Sequence, residues 1–140
     1  MKVEDKAIDR FRGCLIGLTI GDAIGTTVEF KARGTFEPVT NMVGGGPFDL
    51  KAGQWTDDTS MALCLAESLL ISNGFDADDL MQRFCKWWDE GYLSSTGECF
   101  DIGTTVSEAL CLLHPCSSCG ILLPQTSSTL HPKRSNEGNT

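Results

Sequence analysis

The chain has 140 residues, a formal net charge of −8 and seven cysteines. A chain of this length fits one domain and is long enough to bury a hydrophobic core. The acidic balance, with no large basic cluster, argues against nucleic acid and anionic membranes as partners. The longest apolar run near the N-terminus, residues 14–20, is too short to span a bilayer.

Residues 5–24 are predicted to form the first helix. Apolar side chains recur there at spacings of three and four residues: Ile8, Phe11, Leu15 and Leu18. Glycine occupies every fourth position of a neighbouring stripe: Gly13, Gly17, Gly21 and Gly25. Each glycine costs a helix interior about 1 kcal/mol, so we expect another helix or a ligand to approach this stripe closely. A tightly packed core helix would account for the first glycines, but not for Asp22 among them or for Glu29 shortly after.

Residues 30–54 have no helical period and include the run Gly44-Gly45-Gly46-Pro47, which predicts a loop. A loop of this length in a compact chain is usually functional. It leads into Thr56-Asp57-Asp58, at the start of an apolar helix predicted over residues 58–72. On their own these residues are explained as an ordinary helix cap. Two adjacent carboxylates also suit a hard cation such as Mg²⁺.

A third helix is predicted over residues 77–90, with Trp87 and Trp88 in the core rather than on a stacking platform. A loop over residues 92–100 then leads to Asp101. Thr105 and Glu108 match a capping box, which predicts a fourth helix. Its inward-facing residues are predicted to be Val106, Ala109, Leu110 and Leu113. Asp101 is explained equally well as a charge at a helix N-terminus or as part of a cavity shared with the earlier acidic cluster.

After residue 113 the helical period ends, and residues 114–140 are rich in proline, serine and threonine. The spacing of Cys111, His114, Cys116 and Cys119 is too cramped for a standard zinc ribbon, so we expect no zinc site. The N-terminus is polar and lacks an apolar h-region, so we expect no secretory signal. Three cysteines fall in apolar helical contexts as candidate buried thiols: Cys14, Cys64 and Cys85. We therefore expect a cytoplasmic location.

Four segments resemble the ADP-ribosylglycohydrolase family, of the dinitrogenase-reductase-activating glycohydrolase type. The first is residues 44–63, which contain GGGPFDL and GQWTDDTSMAL. The second is residues 12–29, which contain Gly-Asp-Ala-Ile-Gly followed by Glu29. Residues 87–97 and 100–105 supply the other two. Because the four segments occur in the family's order over residues 7–110, together they are far more specific than any one of them.

The resemblance implies an all-α fold, a binuclear Mg²⁺ or Mn²⁺ site, and hydrolysis of the bond between ADP-ribose and an acceptor. The acceptor is often arginine, in a protein or a small conjugate. On matched positions the metal ligands would be Thr56, Asp57 and Asp58. The catalytic residues would be Glu29 and Asp101. The substrate-binding residues would be Asp22, Gly103 and Thr104.

The chain departs from the family pattern in its second half. The family domain is expected to be about twice as long and to carry a second acidic cluster near its C-terminal end, whereas no aspartate follows Asp101 here. We therefore expect residues 1–113 to be the N-terminal part of a family domain. Residues 114–140 would be an irregular tail outside the family pattern, as a truncated or frameshifted reading frame would give. Impaired activity and self-association through an exposed core would follow. The alternative to a hydrolase is an inactive, crystallin-like relative with a structural or weak ligand-binding role.

Overall fold

A computed structural model describes residues 3–113 of the chain, which form four α-helices. They are α1 (Val3–Gly25), α2 (Asp57–Ile71), α3 (Ala77–Glu90) and α4 (Thr104–Leu113). A short 3₁₀ helix, Thr26–Val28, follows α1 directly. The described residues contain no β-strand, only an isolated antiparallel bridge between Gly45 and Leu50. The predicted all-α fold is confirmed.

The helix bounds follow the sequence prediction closely, with one correction at α4. The backbone N–H of Ser107 donates to the carbonyl oxygen of Gly103 at 3.0 Å, so the helix already begins at Thr104. Thr105 therefore lies inside the helix, and the predicted capping box is wrong. The inward-facing residues shift accordingly, because Ser107 is buried beside Leu110 whereas Ala109 is exposed.

Helix α2 is the centre of the core, with α1 and α3 packed against it. Its buried face consists of small side chains at spacings of four: Ser60, Cys64 and Ser68. Small side chains allow helix axes to approach closely, and α3 places Trp87, which is only 1% exposed, in the core. The prediction that this tryptophan belongs to the core is confirmed.

The apolar face of α1 stays exposed among the described residues, although α2 packs against this helix. Ile8, Phe11, Leu15 and Leu18 are 44%, 72%, 40% and 41% exposed. No helix approaches the glycine stripe either, since a Cβ atom at any of its four positions would meet nothing within 4 Å. Periodicity thus predicted the helix correctly, while the close helix neighbour is absent from the part of the chain that the structure describes.

The cysteines differ from the prediction at two of three positions. Cys64 is a buried free thiol as expected, whereas Cys14 is a free thiol that is exposed. Cys85 is disulfide-bonded, as is Cys111. His114, Cys116, Cys119 and the predicted tail lie outside the described residues. The cytoplasmic location stays a prediction. Among residues 3–113, no helix combines the length and the apolar character that crossing a membrane requires.

Candidate active site

The end of α1, the start of α2 and the segment before α4 enclose a cavity of ≈ 470 Å³. Six of the eight predicted site residues line this cavity: Asp22, Glu29, Thr56, Asp57, Asp58 and Asp101. Gly17, Gly21 and Gly25 of the glycine stripe line it as well. The other two predicted residues, Gly103 and Thr104, lie outside the cavity lining and are exposed at the start of α4. The glycine stripe therefore faces a space that a ligand can enter.

Asp22 joins α1 to the first turn of α2. Its carboxylate accepts hydrogen bonds from the backbone N–H and hydroxyl of Thr56 at 3.1 and 2.8 Å. It also accepts from the backbone N–H and hydroxyl of Thr59 at 3.1 and 2.6 Å. Thr56, the N-cap residue of α2, makes no side-chain capping bond of its own. A side chain from α1 therefore caps α2, satisfying backbone N–H groups that a helix start leaves unpaired.

Thr56, Asp57 and Asp58 present oxygen atoms to the cavity from the start of α2. The Thr56 hydroxyl gives its hydrogen to Asp22, so its oxygen lone pairs are available to another group. Asp57 is half-buried and Asp58 is exposed. Burial, and next the charge of Asp58, raise the pKa of Asp57. Asp57 thus gains no counter-charge from the described side chains that line the cavity.

Glu29 and Asp101 complete the acidic lining from two loops. Burial raises the pKa of Glu29, opposed by a hydrogen bond from Thr26 at 3.4 Å and reinforced by the nearby aspartates. Burial, and next the charges of Glu29 and Asp57, raise the pKa of Asp101 to about 7. A carboxyl group with a pKa near neutrality can both take up and release a proton at physiological pH.

The cavity offers only oxygen donors of the kind that Mg²⁺ and Mn²⁺ prefer. No lysine, arginine or histidine lies among the described residues that line it. Within residues 3–113, no three or more His, Cys, Asp or Glu side chains are close enough together to hold a metal ion. Magnesium usually binds one or two protein carboxylates and keeps several waters. Thr56, Asp57 and Asp58 thus fit one side of such a site.

The glycine-rich loop supports the turn that presents Glu29. Gly46 has a φ of +71°, and a Cβ atom there would collide with the carbonyl group of Thr26. The Thr27 hydroxyl donates to the carbonyl oxygen of Gly44 at 3.2 Å. The absence of a side chain at Gly46 therefore lets the loop pack directly against the 3₁₀ helix. This contact explains why glycines precede the acidic cluster in the sequence.

The loop over residues 92–100 is tied to the entry of α2. The Ser95 hydroxyl donates to the carbonyl oxygen of Trp55 at 2.6 Å, and the Gln54 side-chain amide donates to the carbonyl oxygen of Ser95 at 3.0 Å. The Trp55 indole N–H donates to the carbonyl oxygen of Leu93 at 3.4 Å. These bonds fix the segment before Asp101 relative to Thr56. Sequence reasoning missed them, as it missed the cap by Asp22, because the partners lie 34 to 41 residues apart.

Comparison with known proteins agrees with the geometry. The model of the ADP-ribosylglycohydrolase family matches residues 3–137. The chain is 49% identical over 125 residues to the ADP-ribosylarginine hydrolase Tri1 of Serratia proteamaculans, covering 88% of this chain and 34% of that protein. It is 42% identical over 83 residues to the ADP-ribosyl-[dinitrogen reductase] glycohydrolase of Rhodospirillum rubrum, covering 56% of this chain and 28% of that protein.

A solved structure described as an ADP-ribosylglycohydrolase-related protein complex gives a TM-score of 0.54 at 56% sequence identity. It covers 57% of this chain and 28% of that chain. The matched region thus spans about a third or less of the length of these relatives, and corresponds to their N-terminal portion. The two coverages of each match correspond to relatives about two or more times the length of this chain, as expected for the family domain.

Proposed function

The chain belongs to the ADP-ribosylglycohydrolase family, and on that premise we propose that its acidic cavity is the N-terminal portion of a hydrolase active site. The reaction would remove ADP-ribose from a modified acceptor in a protein or a small conjugate. We propose arginine as the acceptor, because the similar protein Tri1 of Serratia proteamaculans is named an ADP-ribosylarginine hydrolase. One observation carries the proposal: acids from four separate segments face a single cavity.

The chemistry needs negative charge beside the ribose ring. As the acceptor departs, positive charge develops on that ring, and carboxylates stabilise it. Glu29 and Asp101 face the cavity from separate loops. We assign one of them to move the proton between water and the leaving group, and the near-neutral pKa of Asp101 favours it for this step.

Metal dependence is general in this family, and Thr56, Asp57 and Asp58 would hold Mg²⁺ or Mn²⁺. When bound, such an ion supplies charge that activates water and orients the ribose hydroxyl groups. Asp22 acts behind these ligands, because its hydrogen bonds fix the backbone and hydroxyl of Thr56. Gly103 and Thr104 stay predicted substrate contacts, and both are exposed at the start of α4.

The proposal is tested by measuring ADP-ribose release from an ADP-ribosylated arginine substrate with Mg²⁺ or Mn²⁺. We expect Asp57→Ala to abolish release, whereas Asp9→Ala should leave it unchanged, because Asp9 is exposed on α1 away from the cavity. Release that survives Asp57→Ala would rule out this assignment of the site.

The second candidate function is that of a catalytically inactive relative that packs or binds ligand weakly. It is favoured by the finding that no three acids within residues 3–113 are placed to hold a metal. No turnover, together with no Mn²⁺ binding in titration calorimetry, would support this alternative over hydrolysis.

A further inference from the structure

Three phenylalanine rings meet, and two of them belong to chain neighbours of the two acids assigned to proton transfer. Phe30 follows Glu29 in the chain, and Phe100 precedes Asp101. The ring of Phe48 lies between them, with centroids 6.3 Å from Phe30 at 70° and 5.3 Å from Phe100 at 58°. Side chains from two loops, the one before α2 and the one before α4, therefore form one aromatic cluster, Phe30, Phe48 and Phe100. The cluster adjoins the acidic cavity through Glu29 and Asp101, the chain neighbours of Phe30 and Phe100 that line it.

Phe30 is not placed as a core residue. Its side chain and backbone are 80% exposed in total, and the contact with Phe48 is edge-on. Its φ of +60° lies in the left-handed region, which is uncommon for a large side chain. Backbone conformations of this kind are concentrated at ligand clamps and active sites. A large apolar ring is thus held outward, in an unfavourable conformation, next to a predicted catalytic acid.

The charges around the aromatic cluster select the kind of ligand. Glu29 and Asp101 line the cavity on one side, and no basic side chain lines it among the described residues. A second cavity of ≈ 230 Å³ adjoins Phe48 and Phe100, and its charged lining residue is Glu98. An anionic diphosphate would be repelled here, and a neutral base would gain only stacking. A planar cation gains both stacking and attraction to the acids, because a guanidinium group stacks on an aromatic face and donates hydrogen bonds to carboxylates in its plane.

We propose that the aromatic cluster binds the guanidinium group of the acceptor arginine, with the exposed face of Phe30 against its plane and the carboxylates of Glu29 and Asp101 near its edge. The inference rests on the proposed function and identifies residues that select the acceptor. Phe30 acts here as a specificity residue, because a flexible, strongly hydrated ammonium group would gain less from the same surface.

The test is a titration of the full chain with agmatine, which carries a guanidinium group on an alkyl chain, followed by NMR or calorimetry. Phe30→Leu keeps an apolar side chain and removes the aromatic face. We expect it to weaken agmatine binding about two- to fivefold, from the usual strength of an exposed cation–π contact. The matched control is Phe75→Leu, since Phe75 is 72% exposed but lies outside the aromatic cluster and the cavity. Its affinity for agmatine should not change.

Two further probes decide the assignment. The diamine cadaverine has the charge of agmatine without a planar group, so Phe30→Leu should weaken its binding less than that of agmatine. Adenosine tests whether the rings serve the base of ADP-ribose instead. The inference is overturned if Phe30→Leu weakens adenosine but not agmatine, if it behaves like Phe75→Leu, or if the unaltered chain does not bind agmatine. Equal thermal midpoints of the two variants show that the fold is intact. Because this titration needs neither metal nor turnover, its failure is distinct from failure of the proposed hydrolysis.

Discussion

The hydrogen bonds of Asp22 predict that this single side chain contributes strongly to stability. Asp22→Asn keeps the shape of the side chain but removes its charge and replaces one acceptor oxygen with a donor. The replaced oxygen no longer accepts from Thr59 or from Thr56, so backbone and hydroxyl donors at the start of α2 lose their partner. A hydrogen bond to a charged group contributes about 1.5–3 kcal/mol, and loss of an N-cap costs about 1 kcal/mol.

These contributions do not simply add. The negative charge of Asp22 also repels Glu29 and Asp101, and its removal relieves that repulsion. We therefore expect a net loss of about 2–3 kcal/mol in the free energy of unfolding. In a domain of about 100 residues this lowers the thermal midpoint by roughly 10–20 °C. Urea unfolding in metal-free buffer, monitored by circular dichroism, would measure this loss in the free energy of unfolding.

Two controls make this measurement decisive. Asp9→Asn removes a charge from the same helix at an exposed position, and should change the free energy of unfolding by less than about 0.5 kcal/mol. Thr59→Val removes one hydroxyl partner, so the double variant with Asp22→Asn should lose less stability than the sum of the single changes. If Asp22→Asn is no more destabilising than Asp9→Asn, the capping interpretation is wrong.

Three further predictions follow from the cavity and its supports. Gly46→Ala should destabilise the chain by about 1–3 kcal/mol more than Gly45→Ala, because both have positive φ but only Gly46 meets neighbouring backbone; equal midpoints in urea would contradict this. The pKa of Asp101 is raised to about 7 from 3.8, so ionised Asp101 lowers the stability of the metal-free protein. That cost is fully present above pH 7 and disappears as pH falls towards 4, and Asp101→Asn should flatten the rise in thermal midpoint on acidification. Mn²⁺ should raise the thermal midpoint of the unaltered chain but not that of Asp57→Asn, since only a folded site binds the ion; an equal rise in both would argue against Asp57 as a ligand.

Local signals account for the parts of the fold that were predicted well. Helix α3 has the predicted bounds because both of its ends are marked by neighbouring residues. The Asp76 carboxylate accepts from the backbone N–H groups of Asp78 and Asp79, and Gly91 closes the helix at a φ of +68°. Thr105 and Glu108 also match a cap pattern, but they lie inside α4 and not at its start. A capping box in the sequence therefore does not by itself fix where a helix begins.

The cavity could not be derived from local patterns. Asp22 and Thr56 are 34 residues apart, and no periodicity links them. Family resemblance grouped the acids correctly, but it gave Asp22 only a role towards substrate and did not reveal its bonds to α2. Periodicity likewise identified the apolar face of α1 without indicating what covers it. Hydrogen bonds between residues far apart in the chain are thus the part of this fold that only the structure reveals.

The cap provided by Asp22 has a consequence for which ions the cavity attracts. The start of a helix carries a partial positive charge that ordinarily serves as counter-charge for acids in its first turn. Here the carboxylate of Asp22 already compensates the N–H groups at the start of α2. Asp57, in that same first turn, has a raised pKa, because its burial and next the charge of Asp58 outweigh the hydrogen bonds that it accepts. Two N–H groups at the start of α2 are thus taken by an acid from another helix, and no basic side chain lies among the described lining residues. A cation from solution is therefore a suitable counter-charge for the acids of this first turn.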